Sequence, residues 1–198
     1  MILKRKSRIL AVAIAAVMCI TGIPMSAYAA QTADNGLATG YVKIEETQNA
    51  IAPGISDKKI VMNTESGNQQ NIVFATEIDM SAETTGIMAG YKNYDGSEFG
   101  LQATTDQAKA AEKKTGKNIV AAINADYFDM TTGATTGALV MNGVKYMDTN
   151  GRPYFAILKD GTAVIRDGSV PLDDVMEAVG GDPLIVKDGK FTVSPSDG

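Results

Sequence analysis

Three Asx-Gly pairs, Asn142-Gly143, Asp160-Gly161 and Asp188-Gly189, each stand between two short runs of strand-forming residues. Asn, Asp and Gly tolerate the positive φ that a two-residue turn demands, so each pair predicts a β-hairpin. The expected strand pairs are Ala138–Met141 with Val144–Met147, Tyr154–Lys159 with Thr162–Arg166, and Leu184–Lys187 with Lys190–Val193. Upstream, Lys59–Met62 is a further candidate strand. Asn71–Met80 alternates Ile72, Phe74, Thr76 and Ile78 against Val73, Ala75, Glu77 and Asp79, with Glu65-Ser66-Gly67-Asn68 as the turn between the two.

Two helices interrupt this pattern. Thr104 and Gln107 have capping-box spacing, an alanine- and lysine-rich run follows, Gly116 is placed to stop it, and Leu101 can act as a staple. Pro171 to Val179 predicts a second, short helix: proline at its start, Asp173 and Asp174 in the first turn, Gly180-Gly181 after it. The class is α+β, mainly antiparallel strands and hairpins with a few packing helices.

The N-terminus carries a different signal. Lys4, Arg5, Lys6 and Arg8 precede an apolar run, Ile9 to Ile20, and Ala27-Tyr28-Ala29 has the small-residue cleavage pattern. Residues 1–30 therefore read as a secretory signal peptide, and the protein is expected outside the cell or at its surface. Thr21, Gly22 and Pro24 break the apolar run short of a spanning length. Residues 31–51 are polar and read as a linker, although Tyr41–Glu45 alternates like a strand; the domain is expected from residue 52 to residue 198.

Cys19, inside the leader, is the only cysteine, and there is no histidine. A mature chain starting after residue 30 can form no disulfide, thiolate metal site, Ser-His-Asp triad or histidine base. Catalysis is left to carboxylates, Arg or Lys, Tyr, hydroxyls, amides or an oxygen-ligated divalent metal ion; no other cofactor is indicated. The precursor has 18 basic and 23 acidic residues, and four of the basic ones lie in the leader, so the rest carries a net −9. Nucleic acid, which needs a basic face, is not the expected partner.

Polar groups concentrate in Asn118–Tyr146. An apolar run, Ile119–Ile123, reads as a buried strand and delivers Asn124, Asp126, Tyr127, Phe128 and Asp129 into the small-residue loop Thr131–Gly137. On a continuing strand Asn124 and Asp126 would face the same side, as a cleft for a sugar requires. The competing reading is that Asn and Asp end the strand and bond nearby backbone. Of Tyr127 and Phe128, one is expected to stack on a ligand and the other, Phe128 by preference, to pack in the core. The loop either lets a ligand approach the backbone closely or is simply flexible. Among Lys145, Arg152 and Arg166, Arg152, held between Gly151 and Pro153, is the preferred phosphate partner.

These residues resemble the phosphodiester glycosidase family, which removes a sugar from a phosphodiester. The family pattern is a hydrophobic strand, Asn-x-x-Phe/Tyr-Phe, a Gly-containing loop and a strand ending in Asn-Gly. Asn124, Tyr127, Phe128, Gly137 and Asn142-Gly143 fall on it. Weaker likeness extends over residues 52–193. Family members continue with an Asp-Gly-Arg segment and a Gly-rich Ser-Ser segment that this sequence does not contain. The resemblance therefore implies that the C-terminal part of the domain, and part of the site, is missing from this chain, which alone would be inactive. It implies a secreted hydrolase acting on a glycosyl-1-phosphodiester of an exopolysaccharide or cell-wall type glycan. The expected catalytic residues are Asp126 and Asn124, and the expected substrate-binding residues are Tyr127, Phe128, Gly137 and Arg152. The alternative is a non-catalytic extracellular module that binds polysaccharide.

Overall fold

Where the backbone must turn back on itself within two residues, the chain places residues that accept a left-handed conformation. Asn142 and Gly143 have φ of 56° and 75°, and Asp188 and Gly189 have φ of 52° and 71°. The computed structural model describes residues 40–192, so the leader reading, Cys19 and the first part of the linker lie outside the described residues.

All three expected hairpins form, but at Asp160-Gly161 only the glycine has a positive φ, and four residues, 159–162, separate the strands instead of two. β4 (Leu139–Met141) turns into β5 (Val144–Met147), β6 (Gly151–Leu158) into β7 (Ala163–Gly168), and β9 (Val186–Lys187) into β10 (Lys190–Phe191). β4 to β7, with β8 (Val175–Gly180), build an antiparallel sheet of order β5-β4-β8-β6-β7. A separate antiparallel meander of β1 (Tyr41–Ala52), β2 (Ile55–Thr64) and β3 (Gln70–Ile78) precedes it. The α+β class with mainly antiparallel strands holds.

Four local expectations give way. The polar stretch 41–51 is not a free linker: β1 is hydrogen-bonded along β2 from Tyr41↔Thr64 to Ala52↔Ile55. It is an edge strand exposed along nearly its whole length, and that exposure is why its composition reads as linker. The expected helix over 171–179 is instead a turn followed by β8. β8 lies between β4 and β6 and is buried on both faces, so it lacks the polar alternation that marks a half-exposed strand.

The third concerns α1 (Thr104–Thr115). It stops at left-handed Gly116, as expected, but the capping box does not form. Thr104 Oγ1 donates to Asn124 Oδ1, and Gln107 Nε2 reaches back to the carbonyl of Gln102 at 2.9 Å. The fourth is Ile119–Ile123, which forms no strand. Its tie to the fold is Ile119 N–H on Glu112 Oε1 at 2.9 Å, and Val120 and Ile123 are exposed. Its apolar character reads as a central strand, but among the described residues no strand lies beside it to pair with.

Both faces of the five-stranded sheet are packed. Ala138, Val140, Tyr154, Ala156, Leu172, Val175 and Ala178 form one core cluster. Tyr154 is 1 % exposed, and its hydroxyl donates to the carbonyls of Val170 at 3.1 Å and Pro171 at 3.3 Å. Leu139 and Met141, pointing the other way along β4, pack with Ala89 against Tyr91, Tyr94 and Tyr146. On that second face Glu177 is buried and accepts the N–H groups of Ala89 at 3.0 Å and Asn142 at 3.1 Å. Burial raises its carboxyl above the ordinary glutamate value, against the opposing pull of those two hydrogen bonds.

Candidate functional site

Because β4 and β6 both run antiparallel to β8, the start of β4, the start of β6 and the end of β8 meet at one end of the sheet. The candidate residues gather there. Asp126 has φ of 52°, a left-handed conformation that breaks the alternation expected after Asn124 and turns its side chain inward. Its Oδ2 accepts from Gly137 N–H and from Thr135 Oγ1, each at 2.7 Å. Its Oδ1 accepts from Tyr127 N–H at 2.7 Å and Thr136 Oγ1 at 3.3 Å. Both oxygens are therefore filled by donors from the loop that Asp126 folds around itself.

Two glycines leave the room for this carboxylate. A Cβ on Gly137 would lie 3.0 Å from Asp126 Oδ2, and one on Gly180 would lie 2.5 Å from it. The rest of the loop is ordered by Asp129, which accepts from Thr131 N–H at 2.9 Å and Thr132 N–H at 2.6 Å. Those N–H and hydroxyl donors, Thr132 first, hold the Asp129 carboxyl below its usual range. Gly133 is wedged against the backbone of Gly100, where a Cβ would come within 2.4 Å, and Tyr91 donates its hydroxyl to the Gly133 carbonyl. The Thr131–Gly137 segment is thus a tied loop rather than a slack one.

Tyr127 and Arg152 form the open side of the cluster. Tyr127 is 53 % exposed, and the Arg152 guanidinium carbon stands 5.9 Å from its ring centroid. Arg152 Nη1 lies 3.3 Å from Asp182 Oδ2, yet this buried nitrogen has no aligned hydrogen-bond acceptor. The other two basic candidates are committed elsewhere: Arg166 holds Asp174 through two bonds of 2.7 Å, and Lys145 holds Asp148 at 2.7 Å.

The structure therefore brings Asp126, Tyr127, Gly137 and Arg152 together. Asn124 is turned aside to the first residue of α1 and shares none of the hydrogen-bond partners of Asp126. Phe128, expected in the core, is 44 % exposed, and its backbone bridges to Thr135. Sequence reading missed Thr135, Thr136 and Gly180 as supports; only the spacing of small residues hinted at them. Among the described residues no three acidic side chains gather closely enough to hold a metal ion.

The family model of the phosphodiester glycosidases matches residues 117–198, the segment that carries this cluster. This segment is similar to the phosphodiester glycosidases, the family its residues resemble. No curated protein matches the chain. The matched span begins just after α1, so it holds every residue of the cluster and the five-stranded sheet beneath it, while the β1–β3 meander precedes it.

Proposed function

We propose that the protein is a secreted hydrolase that releases a sugar from a glycosyl-1-phosphodiester of an exopolysaccharide or cell-wall type glycan. The observation that carries this reading is the pairing, inside the family-matched segment, of an exposed tyrosine face with an arginine whose buried Nη1 lacks an aligned acceptor. A sugar ring stacks on Tyr127, and the phosphate takes the planar donor fork of Arg152. The bond between the anomeric carbon and the phosphate oxygen breaks, and water supplies the new oxygen. One water proton passes to solvent, and a phosphate monoester departs. That leaving group is a weak base, so the main task is stabilising the positive charge that develops at the sugar. With both oxygens fixed by loop donors, Asp126 is suited to act as a preset negative charge near the anomeric carbon. Asn124, anchored at the start of α1, orients the substrate from the flank.

The same saturation of Asp126 favours a second reading, a surface module that binds glycan without cleaving it. The test is free-sugar release by the full-length protein from glycosyl phosphodiesters and from matched glycosides lacking phosphate. Release from the phosphodiesters alone supports the hydrolase. Binding without release of sugar supports the module.

A further inference from the structure

Arg152 already holds an anion, and holds it poorly. Asp182 Oδ2 is 3.3 Å from Nη1, close enough for charge attraction, yet the buried N–H has no aligned acceptor. A buried donor left in this state loses water without gaining a full hydrogen bond. The other neighbours of Arg152 do not repair this. Tyr127 offers only its ring, and the contact to Thr149 is made by the Arg152 backbone N–H at 2.9 Å. Asp182 sits just past β8, after Gly180-Gly181. A Cβ on Gly181 would meet nothing within 4 Å, so the space beside the residue that precedes Asp182 is open.

From this misaligned pair we infer that Asp182 is an internal counter-anion that a ligand phosphate displaces from Arg152, so that Asp182 sets which ligands the site accepts. A phosphate presents oxygens that fit both arms of a guanidinium and can fill the bond that Asp182 leaves unmade. A neutral glycoside cannot evict a carboxylate and meets a closed ion pair. The inference rests on the reading of Arg152 as the phosphate partner, but not on cleavage.

The probe is inorganic phosphate, titrated into the millimolar range with the full chain and followed by calorimetry and by NMR of the arginine guanidinium and aspartate carboxyl signals. In the wild-type protein the Arg152 and Asp182 signals are expected to move together along one binding curve. Asp182→Asn removes the competitor and keeps the shape. It is expected to tighten phosphate about two- to five-fold, the worth of an ion pair this exposed. Arg152→Ala is expected to abolish binding, and Asp182→Asn is expected to gain nothing in that background. The inference is overturned if phosphate moves neither signal, if Arg152 responds while Asp182 stays still, or if a folded Asp182→Asn variant binds phosphate no more tightly than wild type. The wild-type titration decides the matter even if that variant does not fold. Failure to release sugar would count against the hydrolase and leave these outcomes untouched.

Discussion

Two adjacent glycines at the end of β8 should respond oppositely to one added methyl group. At Gly180 a Cβ would lie 2.5 Å from Asp126 Oδ2, 2.8 Å from its Cγ and 3.0 Å from Gly137 Cα. Gly137 lies two residues before β4 and the added methyl presses chiefly on the carboxylate, which yields by releasing Gly137 N–H and Thr135 Oγ1. Overpacking of this kind costs about 1–3 kcal/mol. A buried N–H left unpaired costs about 1–3 kcal/mol more. Gly180→Ala should therefore lose about 2–6 kcal/mol, or about 4–24 °C in melting temperature for a chain of this size. At Gly181 a Cβ meets nothing within 4 Å, and its φ is not in the left-handed region. Gly181→Ala should stay within about 0.5 kcal/mol of wild type. Thermal unfolding followed by circular dichroism compares the pair. Equal melting temperatures for the two variants would refute the claim that Asp126 is packed against β8.

Other perturbations have equally definite signs. Asp126→Asn places an amide donor against one of two backbone N–H groups, so it should cost about 1–3 kcal/mol and sharply reduce sugar release; full turnover by the variant would remove Asp126 from the mechanism. Burial raises the Glu177 carboxyl above 4.5, so its contribution is fully present below the unfolded value and fades as pH rises through the folded one. The stability gap between wild type and Glu177→Gln, measured by denaturant unfolding, should narrow as pH rises above 4.5, and a gap that widens would contradict this. The Ser169 hydroxyl, with Lys187, holds the Asp167 carboxyl down at about 2, against 3.8 normally. That contribution is present above 3.8 and lost as pH falls toward about 2. Asp167→Asn should therefore lose less stability than wild type over that interval, and parallel acid-unfolding curves would overturn the assignment.

What the sequence shows and what it hides follow from locality. Turns are local chemistry, so Asn142-Gly143, Asp160-Gly161 and Asp188-Gly189 announce their hairpins, and Gly116 announces the end of α1. β8 is set by partners far away in the chain: Pro171 and two aspartates mimic a helix start, and only pairing with β4 and β6 makes Val175–Gly180 a strand. Ile119–Ile123 fails in the opposite sense, a strand by composition with no neighbour among the described residues. At the site, residue types pointed to Asp126, Tyr127, Gly137 and Arg152. The separation of Asn124 from Asp126 was not legible, because it depends on one left-handed residue and on a threonine twenty positions upstream. Gly180 was hidden for a similar reason, since it reads as a helix stop until β8 brings it against the carboxylate.

On the proposed function, the end of the five-stranded sheet, around Asp126, Tyr127, Gly137 and Arg152, receives a glycosyl phosphodiester. The direct measurement is a backbone amide NMR titration with a non-hydrolysable glycosyl phosphodiester analogue. Shifts are expected to centre on Tyr127, Thr136, Gly137, Arg152 and Gly181. Shifts confined to the open groove between α1 and Ile119–Ala122, lined by Thr105, Ala108 and Glu112, with the sheet end silent, would contradict it.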